Sequence, residues 1–508
     1  MPIAEEVTAM KHYKRILSLL LIFAVSAGIF ACGSGGWNNE VSTPGSTAAD
    51  EATTESVTGT QPEYTNPGVN YNGESYNFYA YQPSSNWIIA QYNGIVSTAG
   101  SETGEPVNDA IFRRTSQVEE LLNIKITAST NVNGQTAESV KTAVLAGDDA
   151  YDAAIIRISD MKSMVAEPGM LIELGTIENL DLSNSWWNQN ANKEYSIFDS
   201  QYIATGDICM YTVSSVGTLY TNLKMIGDLS LDNPYQLVYN DKWVIDKFVS
   251  MCREAAADLN GNSEVDISDR FGLGCSNTVA QQLIICSGIR VSTRNADGLP
   301  EITLNNAKTS DIIDSAISVI RDRSVALYQP DYASMFTNVY NELLLPTFLE
   351  DRLLFNFNWI NIAFEMRSME ADFAILPFPK YDETQDQYWS APSTAWTTLL
   401  TIPASASKTD TLGNVLQAMG YYSQEMVTPA FIDNIVTTKT LRDDDSAYMM
   451  QLMYDNIVLD LYDIYRWGNI LSSVNNSISK ASNTFASDFA SMLAAAETDI
   501  ANTFKQIG

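Results

Sequence analysis

The sequence predicts an α/β protein of doubly wound sheets flanked by helices, and three observations lead there. Apolar runs of strand length at residues 76–81, 124–127 and 153–156 alternate with helix-period stretches at 108–122 and 137–145, the pattern of parallel strands joined by helical crossovers. The 508 residues, 45% of them hydrophobic, suffice for two or three domains with a large core. The stretch 353–388 repeats the pattern as strand, corner, helix and strand. Its apolar run 353–357 leads to Asn358 and Trp359, a helix-like segment follows, and strand 373–376 is stopped by Pro377 and Pro379.

The first 32 residues read as an export signal. Lys11, Lys14 and Arg15 form a basic region, residues 16–30 an apolar stretch too short for a comfortable membrane span, and Ala31-Cys32 its end. Ile29-Phe30-Ala31-Cys32-Gly33 resembles a lipobox, which implies cleavage after residue 31 and a lipid anchor on Cys32; the alternative is an ordinary signal peptide with an incidental cysteine. Residues 32–70 are rich in Ser, Thr, Gly, Glu and Asn and poor in apolar side chains, the composition of a disordered tether with an r.m.s. reach of roughly 35 Å. Against 29 Lys+Arg stand 61 Asp+Glu, a formal charge of −32 that repels phosphate backbones and anionic membrane surfaces and excludes nucleic acid as a partner.

In a doubly wound sheet the loops after the strands converge on one crevice. That rule nominates the loop from Tyr81 to Trp87, the segment from Arg157 to Asp160, and Trp359 as ligand-facing. Helices are expected over 311–325 after a Ser310 cap and over 412–426 ending before Pro429. A final helix presents Phe485, Phe489, Met492, Leu493, Ala496, Ile500 and Phe504 on one apolar face for packing.

The twelve residues 258–269, DLNGNSEVDISD, place oxygens at the spacing calcium requires: Asp258, Asn260, Asn262, the carbonyl of Glu264, and Asp269, with Asp266 able to act through water. The loop resembles those of EF-hand and dockerin modules, with Ser263 where glycine is usual. A structural calcium ion is expected, and a metal-free turn rich in Asn and Asp is the alternative. Cys209, Cys252, Cys275 and Cys286 include no CxxC pair and are expected as buried free thiols. The one histidine, His12, lies in the signal, which removes Ser-His-Asp, Cys-His and histidine–zinc chemistry from the mature chain. A paired-carboxylate glycosidase is the enzyme class that survives, and the expectation is a non-enzyme.

The blocks AYDAAII, IENLDLSNSWWN, NPYQLVYNDKWVIDKF, DLNGNSEVDISDRFGL, PKYDETQDQY and KTLRDDDSAYM together resemble the extracellular solute-binding family that includes maltose-binding protein. More narrowly, they are similar to its large Gram-positive lipoprotein members, the substrate-binding components of sugar ABC importers. The resemblance implies two α/β lobes joined by two hinge crossings, at 206–222 and 389–402, the first read as two β-rich pieces. It divides the chain into a signal (1–31), a tether (32–70), lobe one (71–210 and 391–430) and lobe two (211–390, carrying the calcium loop, and 431–508). It places Trp396 beside the return crossing, and Ser276 and Asn277 in a loop that resembles a family ligand loop. It implies a monomer that captures a sugar by closure, docks on permease membrane subunits and meets the membrane through its anchor alone. A surface adhesin, or a binding protein for a non-sugar solute such as a peptide, is the other reading.

Overall fold

The computed structural model describes residues 64–83, 91–131, 136–196, 200–366, 369–436 and 444–507. Residues 1–63, where the signal, Cys32 and most of the tether are expected, and Trp87 lie outside them. The described residues belong to one compact unit, Thr60–Gly508.

Strand β1 (Glu74–Tyr81) is flanked by β2 (Ile124–Asn131) and β3 (Ala153–Arg157), parallel to both. β4 (Ile203–Ala204) is the outer strand of the same sheet. The chain then leaves, and β5 (Gly217–Asn222) opens a second sheet. There follow β6 (Phe271–Cys275), the hairpin of β7 (Ser292–Arg294) and β8 (Pro300–Ile302), then β9 (Ala326–Tyr328), β10 (Leu353–Trp359) and β11 (Phe373–Leu376). β12 (Thr398–Thr401) returns to the first sheet. The strand orders are β2-β1-β3-β12-β4 and β11-β5-β10-β6-β9.

Each sheet is mixed, which corrects the parallel sheet that the alternation predicts. β12 runs against β3 and β4, and β5 against β10 and β11, while the other strands of each sheet share one direction. The reversed strands are the two that arrive straight from the other sheet. Gly217, the first residue of β5, faces Trp359, the last of β10, and Thr398 at the start of β12 faces Arg157 at the end of β3. A chain that crosses at the edge where parallel strands end must enter its new sheet against them. The crossings are stitched together: Gly217 N–H donates to the Ala391 carbonyl at 3.1 Å and Ser393 N–H to the Ser215 carbonyl at 2.8 Å.

Local expectations meet competing forces in three places. The helix expected over 311–325 is Ala307–Ile320, because the extended Asn306 caps it by accepting the Thr309 N–H at 3.0 Å. Pro429 does not end the helix before it. The run Thr409–Tyr422 passes through a π-turn, Ser423–Val427, into Thr428–Val436, and the widened turn accommodates a residue that has no N–H to give. The first crossing is not two β pieces but a helix, Met210–Ser214, followed by β5. Further along, Thr428–Val436 packs on the helix Pro106–Leu122, whereas Asp444–Asp455 packs on β11, so the chain passes once more to the second sheet between them.

Both sheets are buried on their faces. In β10, Leu354, Phe355 and Phe357 join one core with Trp243, while Leu353 joins a second core, and all four of these strand residues are buried. The helix Phe485–Ile507 packs Phe485, Phe489 and Ala496 into the core of the second sheet, with Met492, Leu493, Ile500 and Phe504 against it. The four cysteines, Cys209, Cys252, Cys275 and Cys286, are free and buried. No helix among the described residues is long and apolar enough to cross a membrane.

Candidate ligand-binding site

Because β6 and β10 are parallel, their carboxyl ends reach the same edge of the second sheet, and there the residues after them meet the return crossing. A recess of about 310 Å³ opens at this junction. Ser276 and Thr278 line it from beyond β6, Gln281 and Gln282 from the helix Val279–Cys286, and Trp359 from the end of β10. Residues 391–396, including Trp396, form the crossing wall, and Asp463 and Arg466 come from a distant C-terminal segment. Three residues expected from sequence, Trp359, Trp396 and Ser276, therefore line one space. Asn277 is exposed beside it and is not among the lining residues.

Trp359 is the last residue of β10 rather than part of a corner beyond it. Its main-chain carbonyl accepts the Tyr220 hydroxyl at 2.8 Å, and its ring meets Phe357 edge-on at 5.4 Å. Trp396 sits on a turn in which its N–H and that of Thr397 both donate to the Ser393 carbonyl, at 3.0 and 2.8 Å. Both indoles are half-buried, so each keeps surface for a ligand. Gln282 is 5% exposed, and its Oε1 finds no donor among the described residues. A buried amide oxygen without a donor costs stability, and a ligand hydroxyl at the recess would satisfy it.

The C-terminal wall is held by a capping box. Asp460 accepts the Tyr462 N–H at 2.7 Å, and Asp463 Oδ2 accepts the Asp460 N–H at 2.9 Å. Burial lifts both carboxyls above the usual range, each with the other acid or nearby arginines as a lesser influence, and Asp460 is pushed up to about 7. Lys162, on the helix after β3, donates to the Tyr465 carbonyl at 3.0 Å, tying this wall to the first sheet.

The first-sheet candidates form a second group. Arg157 pairs with Asp160 through Nη2 to Oδ1 at 2.9 Å, and its guanidinium lies 5.6 Å from the centre of the Tyr81 ring. Tyr81 is 2% exposed and is a core residue beneath Arg157. Asp160 lines a wider recess of about 1070 Å³ on the first sheet, with Ser159, Lys162 and Lys141. The two groups touch along one strand edge, since Ile158 N–H donates to the carbonyl of Thr397, the neighbour of Trp396, at 2.8 Å. Between the two recesses, the smaller holds both indoles and residues of the return crossing, so it is the better-built site.

No residue of the loop 258–269 is among those lining either recess. Asp258 accepts the N–H groups of Gly261 at 2.7 Å and Ser263 at 2.9 Å, and Asn260 and Asn262 each donate to Asp266 Oδ2 at 3.0 Å. Asp269 Oδ1 accepts the Leu259 N–H at 3.2 Å, and Glu264 donates its N–H to Asn262 Oδ1 at 2.7 Å. Ser263 adopts φ 62°, the left-handed conformation that glycine ordinarily supplies at this position. The donor set is oxygen throughout and suits a hard cation. As folded here the oxygens serve the loop's own N–H groups, and no three acidic, His or Cys side chains among the described residues are grouped as a metal centre.

Arg466, Asp463, Gln281 and Gln282 escape sequence reading. No motif marks them, and the one available signal is the strand-end rule, which points at the loop after β6 and stops short of the helix that follows.

No family model matches the chain, and no curated protein matches it in sequence. Its likeness is in fold. A sugar transporter from Rhizobium etli in an open conformation is 10% identical, with a TM-score of 0.56 over 83% of this chain and 99% of that one. RafE from Streptococcus pneumoniae, in its apo form, is 12% identical, with a TM-score of 0.52 over 84% and 98%. The maltose-binding protein MalE from Listeria monocytogenes, in complex with maltose, is 12% identical, with a TM-score of 0.51 over 86% and 99%. The fold is that of the two-domain solute-binding proteins of the MalE type.

Proposed function

We propose that this protein is the extracytoplasmic substrate-binding component of an ABC importer and that it captures a carbohydrate between its two lobes. The meeting of Trp359 and Trp396 in one recess beside the paired crossings carries this reading. Aromatic faces stack on the C–H surface of a sugar ring while amides and hydroxyls such as Gln281, Gln282 and Ser276 bond its hydroxyls. The crossings are the hinge: closure about them brings the Arg157–Asp160 pair and the first-sheet recess toward the indoles, and the closed form docks on permease membrane subunits. The maltose bound by the Listeria protein of the same fold supports the ligand class. The protein acts as a monomer, without catalysis, held to the outer face of the membrane by lipid on Cys32, with calcium in the loop 258–269.

The test is a thermal-shift and tryptophan-fluorescence screen of the mature chain against mono- and oligosaccharides, amino acids and peptides. A saccharide should raise the melting temperature and change the emission. A shift with peptides or amino acids and none with any saccharide would overturn the reading. For the anchor, Cys32→Ser should release the protein from the membrane fraction of a native-type host, and unchanged fractionation would remove it.

A further inference from the structure

Arg466 stands at the recess wall with an unusual backbone and unfilled bonding capacity. It follows the helix Leu461–Tyr465 at φ 52°, a left-handed conformation that residues with side chains rarely hold unless their surroundings impose it. Its Nε donates to the main-chain carbonyl of Asp463 at 3.3 Å, and its guanidinium lies 5.7 Å from the centre of the Tyr462 ring. Among the described residues no carboxylate is ion-paired with it, whereas Arg157, Arg321 and Arg352 each have one. Asp463, the acid of the same wall, feels the Arg466 charge, which opposes the rise of its pKa, but turns Oδ2 to the Asp460 N–H at 2.9 Å. Gln282, which also lines the recess, has a buried amide oxygen with no donor among the described residues. The recess lining thus brings together a guanidinium with no ion pair, a buried amide oxygen without a donor, and two indoles.

We propose that the ligand of this recess is an acidic carbohydrate, a sugar bearing a uronic-acid carboxylate, with that carboxylate on the Arg466 guanidinium and a ring hydroxyl on Gln282. The proposal rests on the carbohydrate reading above. The fork of a guanidinium matches the two oxygens of a carboxylate, a pairing a neutral sugar cannot offer. The net charge of −32 does not forbid it, because acids farther than about 8 Å are screened at physiological salt while the guanidinium acts in contact. A recess of about 310 Å³ is small for a ligand site and suits one or two sugar rings.

The experiment titrates the mature chain calorimetrically with a disaccharide ending in glucuronic acid and with the neutral disaccharide of the same linkage. The acidic sugar should bind more tightly by about 10-fold or more, and Arg466→Gln should cost it about 10- to 100-fold while changing the neutral sugar by less than about 3-fold. Arg466→Gly is the second variant. Glycine suits φ 52°, so its melting temperature should hold or rise while the acidic sugar is lost to the same extent. Equal or tighter binding of the neutral sugar, or equal losses for both sugars in Arg466→Gln, would overturn the acidic assignment and leave the carbohydrate reading standing. Binding of neither sugar, nor of any other saccharide, would overturn the carbohydrate reading with it.

Discussion

Trp359 and Gly217 face each other across the antiparallel pair of β10 and β5, and the Gln282 amide, with the indole edge just beyond it, occupies the space a side chain at 217 would fill. A β-carbon on Gly217 would stand 3.3 Å from the Trp359 ring and 2.5 Å from Gln282 Oε1. The glycine is what lets the crossing pass beneath the site. Gly217→Ala should therefore push both groups out of place, at about 1–3 kcal/mol of stability, and should weaken the ligand beyond what that stability loss explains. Melting temperature and Kd measured on the same preparation check it; a stable variant with unchanged Kd would detach Gln282 and Trp359 from binding.

For the indoles themselves, the comparison of stability with affinity decides. Trp359→Ala and Trp396→Ala remove half-buried rings, so each should retain the fold and lose roughly 2–4 kcal/mol of binding, or about 30- to 1,000-fold in Kd. If the rings serve the core instead, the variants should lose about 3–5 kcal/mol of stability with little selective change in Kd.

The loop 258–269 gives a prediction about metal. Calcium at 100 times its Kd should stabilise the protein by about 2.7 kcal/mol, so chelation should lower the melting temperature. Asp258→Ala/Asp269→Ala should abolish that response, on top of a baseline loss because both carboxylates hold loop N–H groups. Equal chelator responses in both proteins would assign the calcium elsewhere or nowhere.

Stability should also depend on pH through Asp207. Part of this residue still reaches solvent, yet its carboxyl group is crowded by protein, and desolvation followed in lesser measure by the Asp455 carboxylate pushes it up to about 7. Thr428 and Gln424 donate to it, at 2.6 and 3.4 Å, and oppose the rise. A raised carboxyl binds its proton more tightly in the folded chain than in the unfolded one. Its contribution is full below about pH 4 and is lost as pH rises through about 7. Asp207→Asn should flatten the fall of stability between those limits, read from denaturant midpoints at several pH values.

The strand-end rule nominated Trp359, which lines the recess, because the information is local: an apolar run, a polar-aromatic end, and prolines that stop the next strand. Ser276 and Trp396 came instead through the family resemblance, which supplied loops that periodicity does not mark. Arg466 and Gln282 were legible by neither route. Arg466 reaches the recess from a segment that the capping box of Asp460 and Asp463 holds, and Gln282 sits one turn inside a helix whose sequence reads as core.

Local chemistry in the chain itself determined the alternation of strands and helices, the apolar face of the last helix and the composition of residues 32–70. Strand direction was decided only in three dimensions. Whether a short apolar run is parallel or reversed depends on the edge from which the chain enters the sheet, and β5 and β12 enter from the edge where the others end. The same geometry decided the site. Residues more than a hundred positions apart share one recess because parallel strands carry their ends to a common edge and the return crossing, hydrogen-bonded to the first, walls it, an arrangement of space that no run of neighbouring residues encodes.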